Sequence, residues 1–127
     1  YGRVINVGSV HSKIASPYKS GYVSAKHGLL GLTRTLALEL ADTGITVNAI
    51  CPGYVDTPLV QNQLDSLSDK HGIAREQVIE EVVLRNVPMK RLISAIEIGD
   101  LACYLCSDSA RAITGQGYTI DGGWSQI

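Results

Sequence analysis

The chain is short of several things that would have pointed to a function directly. No uninterrupted apolar run approaches the roughly 20 residues needed to span a bilayer, so a membrane-embedded protein is not expected. Charge of one sign is missing as well. The 127 residues carry 11 Lys and Arg against 12 Asp and Glu, with the signs interspersed and a formal net charge of −1. Such a surface offers no basic field for a nucleic acid backbone or an anionic membrane, so neither is expected as a partner. Cysteine is sparse: three residues, an odd number, make no disulfide framework, and a reducing, cytoplasmic compartment fits them better. An initiator Met is also lacking. The start Tyr1-Gly2-Arg3-Val4 has neither the charged nor the apolar region of a signal peptide and leads at once into Val4, Ile5 and Val7. Such an opening suggests an internal start, with the length bounding a fragment rather than a protein.

Metal-site patterns are thin. Cys103-Tyr104-Leu105-Cys106 has the CxxC spacing, without a second CxxC, a nearby His or the turn of a metal knuckle. It falls in an apolar helical pattern with Ile98, Leu101, Ala102 and Leu105, where Cys is expected to act as a small core hydrophobe. His27 and His71 have no carboxylate or Cys placed beside them by spacing, so no metal site is expected.

What is present is an alternation of strands and helices without repeats. An apolar strand is expected over residues 3–9, then a loop rich in Ser, Lys and Pro over 10–20. A long helix over 21–41 follows, with Tyr22, Ala25, Leu29, Leu32, Leu36 and Leu40 recurring at three or four residues. Ser24, Gly28, Gly31 and Thr35 form a second stripe of small residues. Gly costs up to ~1 kcal/mol in a helix interior, so the stripe predicts close approach of another backbone or helix. A β-branched strand over 46–51 ends at Pro52-Gly53. Strand, helix and strand make a βαβ unit with parallel strands and a right-handed crossover. Two amphipathic helices over 58–70 and 75–84 read as a lid, residues 58–88, over a cleft. Ser94 and Glu97 fit a capping box opening a helix to about 107. A last strand over 118–121 leads to Gly122-Gly123-Trp124. The order argues for an α/β fold with a mainly parallel sheet.

The chemistry is carried by Ser9, Tyr22 thirteen residues on, and Lys26 four beyond that. Tyr22 and Lys26 are one helical turn apart, about 6 Å in rise and on one face. A phenol with an ordinary pKa near 10 is a poor acid–base catalyst at neutral pH, and a fixed cation favours its ionised form. Ser9, at the carboxyl end of a parallel strand, lies where ligands bind in open α/β sheets, and its hydroxyl can hold a substrate oxygen while Tyr22 exchanges the proton. An isolated YxxxK occurs by chance on many helices, as a core ring beside a solvated amine.

Val4-Ile5-Asn6-Val7-Gly8-Ser9, Tyr22-Val23-Ser24-Ala25-Lys26, Val47-Asn48-Ala49-Ile50-Cys51-Pro52-Gly53-Tyr54-Val55-Asp56-Thr57-Pro58 and Ile120-Asp121-Gly122-Gly123 occur in this order over essentially the whole chain. Together they resemble the second half of the short-chain dehydrogenase/reductase family. The resemblance implies the C-terminal half of a Rossmann-like, doubly wound parallel sheet with helices on both faces. It implies Tyr22 as general acid/base, Lys26 as the residue that lowers its pKa and binds the nicotinamide ribose, and Ser9 as polariser of the substrate oxygen. Pro52, Gly53, Tyr54, Val55 and Thr57 would contact the cofactor, with the Val55 backbone meeting the carboxamide. The long helix would pack at a subunit interface in a homotetramer.

A narrower resemblance, to the D-3-hydroxybutyrate dehydrogenases of that family, rests on Ser9-Val10-His11, Lys19, Thr57-Pro58-Leu59-Val60 with Gln63, and Asp121-Gly122-Gly123-Trp124. It implies NAD as cofactor and a small 3-hydroxy acid as substrate, with His11, Lys19 and Gln63 on its carboxylate and Trp124 enclosing it. Charge-assisted hydrogen bonds are the strong kind, as a ligand with little apolar surface requires. Taken singly, Lys19 and His11 also read as loop residues, Gln63 as a polar helix face, Trp124 as a packing anchor, and Pro52-Gly53 as a strand-ending turn.

The Gly-rich turn that receives a pyrophosphate between strand and helix is missing; Gly115-Gln116-Gly117 precedes a strand and is no substitute. The cofactor-binding half, the Asn it contributes and any acidic residue choosing NAD over NADP are expected upstream of Tyr1. The chain alone is expected to bind cofactor poorly and to show little activity. Two alternatives stay open: a 3-oxoacyl thioester reductase or other member of the family, and a non-catalytic oligomerisation fragment.

Overall fold

The computed structural model describes all residues, 1–127. Three parallel strands form one sheet: β1 (Gly2–Val7), β2 (Ile45–Pro52) and β3 (Gly117–Ile120), in that order across the sheet. Gly2 pairs with Ile45 and Val7 with Ile50; Ala49 pairs with Gly117 and Pro52 with Ile120. The middle strand is buried from Thr46 to Cys51, as its β-branched, near-continuously apolar sequence requires of a strand covered on both faces.

Alternate residues of β2 serve the two faces. Ala49 and Cys51 pack with Leu30 of α1 (Ser20–Glu39). Ile50 packs with Leu105 of α4 (Ala95–Cys106) and Ala110, and around them lie Ile5, Leu101, Ala102, Tyr118 and Ile120. Helices therefore cover both faces, and the expected doubly wound parallel arrangement is present.

Asn48 is the polar exception at the centre of β2. Its Nδ2 donates to the Ile113 carbonyl at 2.8 Å and its Oδ1 accepts from the Gln116 N–H at 3.0 Å, so the side chain stands in for ladder bonds where β3 has not yet begun. Asn6 does the same between sheet and helix, donating at 2.9 Å to Thr33, which donates to the Leu29 carbonyl.

A third layer holds α2 (Pro58–His71), α3 (Arg75–Val78) and a π-helical turn, Ile79–Val83. Thr57 caps α2, accepting from the Val60 N–H, and Pro58 occupies the first helical position where its missing N–H costs nothing. Gly72, at φ 64°, ends α2 in the left-handed conformation that glycine adopts without strain. These helices enclose a core of their own: Leu64, Val78, Val83, Leu84 and Val87, all buried, with Tyr54, Val60, Leu92 and Trp124 packed around it. Arg75 pairs with Asp65 at 3.0 Å and also with Gln61, tying α3 to α2.

Several expectations need correction. The face of α1 that meets the sheet is Leu30, Thr33 and Ala37, whereas Tyr22, Ala25 and Leu32 are exposed. The small-residue stripe lies away from the sheet, and nothing in the chain comes within 4 Å of a Cβ at Gly28 or Gly31. Periodicity marks an apolar stripe but not which of two neighbouring stripes the sheet will take. Cys103 and Cys106 are exposed, and the core thiol is Cys51; α4 turns Leu101, Ala102 and Leu105 inward and leaves both flanking thiols outside. The second lid helix is α-helical only to Val78 before widening into the π turn. The expected Ser94–Glu97 capping box, by contrast, is present, with the Ser94 hydroxyl also accepting from the Ile96 N–H at 3.2 Å and Glu97 returning to the Ser94 N–H at 2.8 Å. The first strand stops at Val7 and the last at Ile120, because Gly8 and Asp121 begin turns. No helix is long and apolar enough to cross a membrane.

Candidate active site

The twelve residues singled out in the sequence, Ser9, His11, Lys19, Tyr22, Lys26, Pro52, Gly53, Tyr54, Val55, Thr57, Gln63 and Trp124, all line one cleft of about 570 Å³ at the carboxyl ends of the strands. Val7, Gly8, Val10, Leu59 and Val60 complete its wall. This is where open parallel sheets bind ligands, because the strands end there and the loops diverge.

The floor is set by β1. A Cβ on Gly8 would lie 2.8 Å from Ser12 Oγ and 3.2 Å from Cys51 Sγ, so only glycine lets the chain turn out of the sheet here. Ser9 follows and caps the 3₁₀ turn Val10–Ser12, its Oγ accepting from the His11 N–H at 3.1 Å. Ser9 and His11 are both nearly inaccessible, at 6% and 4%. His11 Nδ1 stands 3.4 Å from Ser9 Oγ and its Nε2 2.7 Å from Ser16 Oγ. The ring is wedged edge-on against Tyr22, at 5.7 Å between centroids, and against Trp124, at 5.5 Å. Burial, and then the charges of Lys19 and His27, push the His11 imidazole below its ordinary 6.5, so it is neutral at pH 7.

Tyr22 sits in the first turn of α1, and its hydroxyl has no partner in the chain. Lys26 lies one turn on, its Nζ 5.8 Å from the centre of the Tyr22 ring and donating to the Val7 carbonyl at 3.0 Å. That bond anchors the ammonium to the end of β1, between phenol and sheet. Lys19 and Gln63 both line the cleft, their side chains exposed and without a hydrogen bond or ion pair to the rest of the chain.

The opposite wall depends on two tight turns. A Cβ on Gly53 would approach the Asp121 backbone to 3.0 Å, so the turn after β2 and the turn after β3 pack directly together. Asp121, only 7% exposed, accepts from the Gly123 N–H at 2.9 Å and the Ser125 N–H at 2.7 Å. It thereby delivers Trp124, whose indole stacks on Tyr54 at 5.2 Å and 4°. Burial pushes the Tyr54 phenol up. Asp121 is a positioning group that motif reading missed, although the Asp-Gly-Gly pattern was a signal for it; nothing in the sequence marked the contact of Ser16 with the His11 ring.

The cleft can be tested against a nicotinamide group. Val55 makes a parallel bridge with Ile93, in which the Tyr54 carbonyl and Asp56 N–H are used, at 2.8 Å each. In a parallel ladder the groups of Val55 itself then aim away from Ile93, and neither finds a partner in the chain. A donor and an acceptor side by side on the cleft wall fit a primary carboxamide. The Thr57 oxygen accepts from the Val60 N–H as the α2 cap, which leaves its hydroxyl proton free to donate.

A family model described as enoyl-(acyl carrier protein) reductase matches residues 1–125. A D-beta-hydroxybutyrate dehydrogenase of Rhizobium meliloti is 52% identical over 98% of this chain and 48% of its own length. A protein of the same name from Cupriavidus necator is 49% identical over 98% of this chain and 48% of its own. Among solved structures, a short chain dehydrogenase family protein of Francisella tularensis superposes with a TM-score of 0.93 at 32% identity, covering 98% of this chain and 51% of that one. The actinorhodin polyketide ketoreductase with NADPH gives 0.89 at 34% identity, covering 98% and 48%. The chain thus spans about half the length of the curated relatives it matches.

Proposed function

The chain belongs to the short-chain dehydrogenase/reductase family, an oxidoreductase family, and from that premise we propose that the polypeptide carrying it oxidises a small 3-hydroxy acid, D-3-hydroxybutyrate, to the 3-oxo acid with NAD as cofactor. The observation that carries this reading is the convergence of an uncommitted phenol, Tyr22, with an uncommitted ammonium, Lys19, and an uncommitted amide, Gln63, on one cleft beside the buried Ser9 hydroxyl. Two names among the relatives support the choice of acid.

The nicotinamide supplies the hydride acceptor when bound, and the Val55 peptide groups would hold its carboxamide. The remaining work falls to the chain. Lys19 and Gln63 hold the carboxylate by a charge-assisted bond and an amide N–H. Tyr22 takes the proton of the 3-hydroxyl, and Ser9 donates to the oxygen as it becomes a carbonyl. Lys26, fixed to the Val7 carbonyl, keeps a positive charge beside the phenol through the proton transfer. Trp124 and Tyr54 close the end of the cleft to longer chains. The same reading includes a cytoplasmic homotetramer in which the exposed face of α1, with Gly28 and Gly31, meets another subunit.

The test is steady-state oxidation by the full-length polypeptide of D-3-hydroxybutyrate against uncharged secondary alcohols, with NAD and with NADP. A preference for the acid of more than about tenfold in kcat/KM is expected, the worth of one charge-assisted bond. Equal turnover of acid and alcohol sinks the substrate. The NADPH-bound ketoreductase neighbour favours a second reading, a 3-oxoacyl reductase, under which NADPH and a thioester substrate would win the same comparison.

A further inference from the structure

The loop that leads from the His11 turn into α1 holds one strained residue. Tyr18 has φ 64°, in the left-handed region where a side chain crowds the backbone and glycine or asparagine is the usual occupant. Packing does not account for it. The Tyr18 ring is wholly exposed, its hydroxyl makes no hydrogen bond, and it forms no part of the cleft wall. The neighbours account for it instead. Pro17 has its φ locked by its ring, and a proline followed by a residue at positive φ is the pattern of a type II turn. One end of that turn is Ser16, whose Oγ lies 2.7 Å from His11 Nε2. The other is Lys19, the cap position of α1, its carbonyl accepting from the Val23 N–H at 2.8 Å. The helix is fixed independently, by the buried Leu30, Thr33 and Ala37 and by Lys26 on the Val7 carbonyl. Lys19 is therefore the last residue whose direction the turn decides.

A return of Tyr18 to the ordinary helical φ near −63° would rotate the chain by roughly 130° about that bond, and the two ends of the turn could not both stay in place. Strain of this kind persists where the surroundings over-determine it, most often at a functional site. This inference rests on the dehydrogenase reading: we infer that Tyr18 is a positioning residue acting through its backbone, its left-handed conformation turning the Lys19 ammonium into the cleft to meet the substrate carboxylate. Lys19 lines the cleft, and its charge is near enough to the His11 ring to help hold that imidazole below 6.5. The phenol of Tyr18 has no part in the chemistry. Tyr18 acts on the affinity for an acid rather than on proton transfer, because Tyr22 and Lys26 stand on the helix, which the sheet holds without the turn.

The experiment compares three full-length polypeptides: wild type, Tyr18→Asn and Tyr18→Val. Asn accepts the left-handed conformation, and Val, branched at Cβ, resists it. With D-3-hydroxybutyrate and NAD, Tyr18→Val should raise KM about tenfold with kcat within about threefold, and should leave the KM of an uncharged secondary alcohol within about twofold. Tyr18→Asn, the conservative replacement for the backbone, should keep the wild-type KM for the acid and melt about 2–4 °C higher. An acid KM for Tyr18→Val within twofold of wild type overturns the inference. A KM that rises equally for acid and alcohol does so too, since the turn would then support the whole cleft. A loss in Tyr18→Asn as large as in Tyr18→Val assigns the role to the ring and overturns it as well. If Tyr18→Val does not fold, Tyr18→Asn decides, because a melting temperature at or below that of the wild type means that Tyr18 carries no strain. If the polypeptide oxidises no hydroxy acid, the dehydrogenase reading fails, and the order of the melting temperatures alone decides the strain at Tyr18.

Discussion

The two walls of the cleft are made by different means. Ser9, Tyr22 and Lys26 stand on β1 and α1, which are tied to the buried middle strand by a six-residue parallel ladder and by the Asn6–Thr33 bond. Gln63 and the Tyr54–Trp124 stack stand on or against the lid, whose five buried aliphatic residues belong to no sheet cluster. The lid joins the sheet layer through few backbone bonds: the bridge at Val55 and Ile93, and the Met89 N–H donating to the Gly122 carbonyl at 3.1 Å. The chemical groups are therefore held by the fold's main hydrogen-bond framework. Of the groups that would choose a substrate, Lys19 stands at the start of α1, whereas Gln63 and the aromatic stack are held on or against a separate small core.

The division makes graded predictions. Tyr22→Phe should lower kcat by about 10²–10⁴-fold with little change in KM, as loss of a general acid–base group does; a steady-state measurement in which kcat is retained removes the mechanism. Leu64→Ala opens a cavity at the centre of the lid core and should cost about 2–5 kcal/mol there. Amide exchange should then quicken over residues 58–93 while β2 stays protected. Equal loss of protection in both would mean that the walls form one cooperative unit.

Lys19→Ala should raise KM for the acid about 10–100-fold with kcat less affected, the range of one hydrogen bond to a charged group. An unchanged KM would assign the carboxylate to another residue. The smallest effect is at the start of α4, outside both walls. Hydrogen bonds from Arg91 and from the Ser94 N–H hold the Glu97 carboxyl at about 2, below its ordinary 4.5. A depressed carboxyl contributes stability that is present above pH 4.5 and lost as pH falls from there towards 2. Glu97→Gln should flatten that limb of a melting-temperature profile slightly, since the pair is exposed and screened. A larger change than that of Leu64→Ala at pH 7 would reverse the order.

Much of the site could be read from spacing because its residues are close in sequence to strand ends. Ser9 follows an apolar strand, Tyr22 and Lys26 share a helical turn, and Pro52-Gly53 ends a β-branched strand. Local rules place each of these at the carboxyl edge of a parallel sheet, and the alternation of elements implies that the edges coincide. The exposed Cys103 and Cys106, and the choice of Leu30, Thr33 and Ala37 as the inner face of α1, could not be read in this way. Both depend on which of several apolar stripes meets a distant layer. The lid core escaped for the same reason, since Leu64 and Val87 are far apart in sequence and each segment alone looks merely amphipathic.

By itself, the sequence of this protein determined the family, the βαβ order and the identities of the groups that can move a proton or hold a carboxylate, since backbone propensity and short-range spacing suffice for those. Tertiary structure alone decided which of those groups are free to act. Tyr22, Lys19 and Gln63 face the cleft without partners, Lys26 is anchored to Val7 and Thr57 caps a helix. His11 lies between Ser9 and Ser16, within hydrogen-bonding distance of both. A side chain's availability is set by what its hydrogen-bonding atoms already touch, and those partners are chosen by the packing of the whole chain.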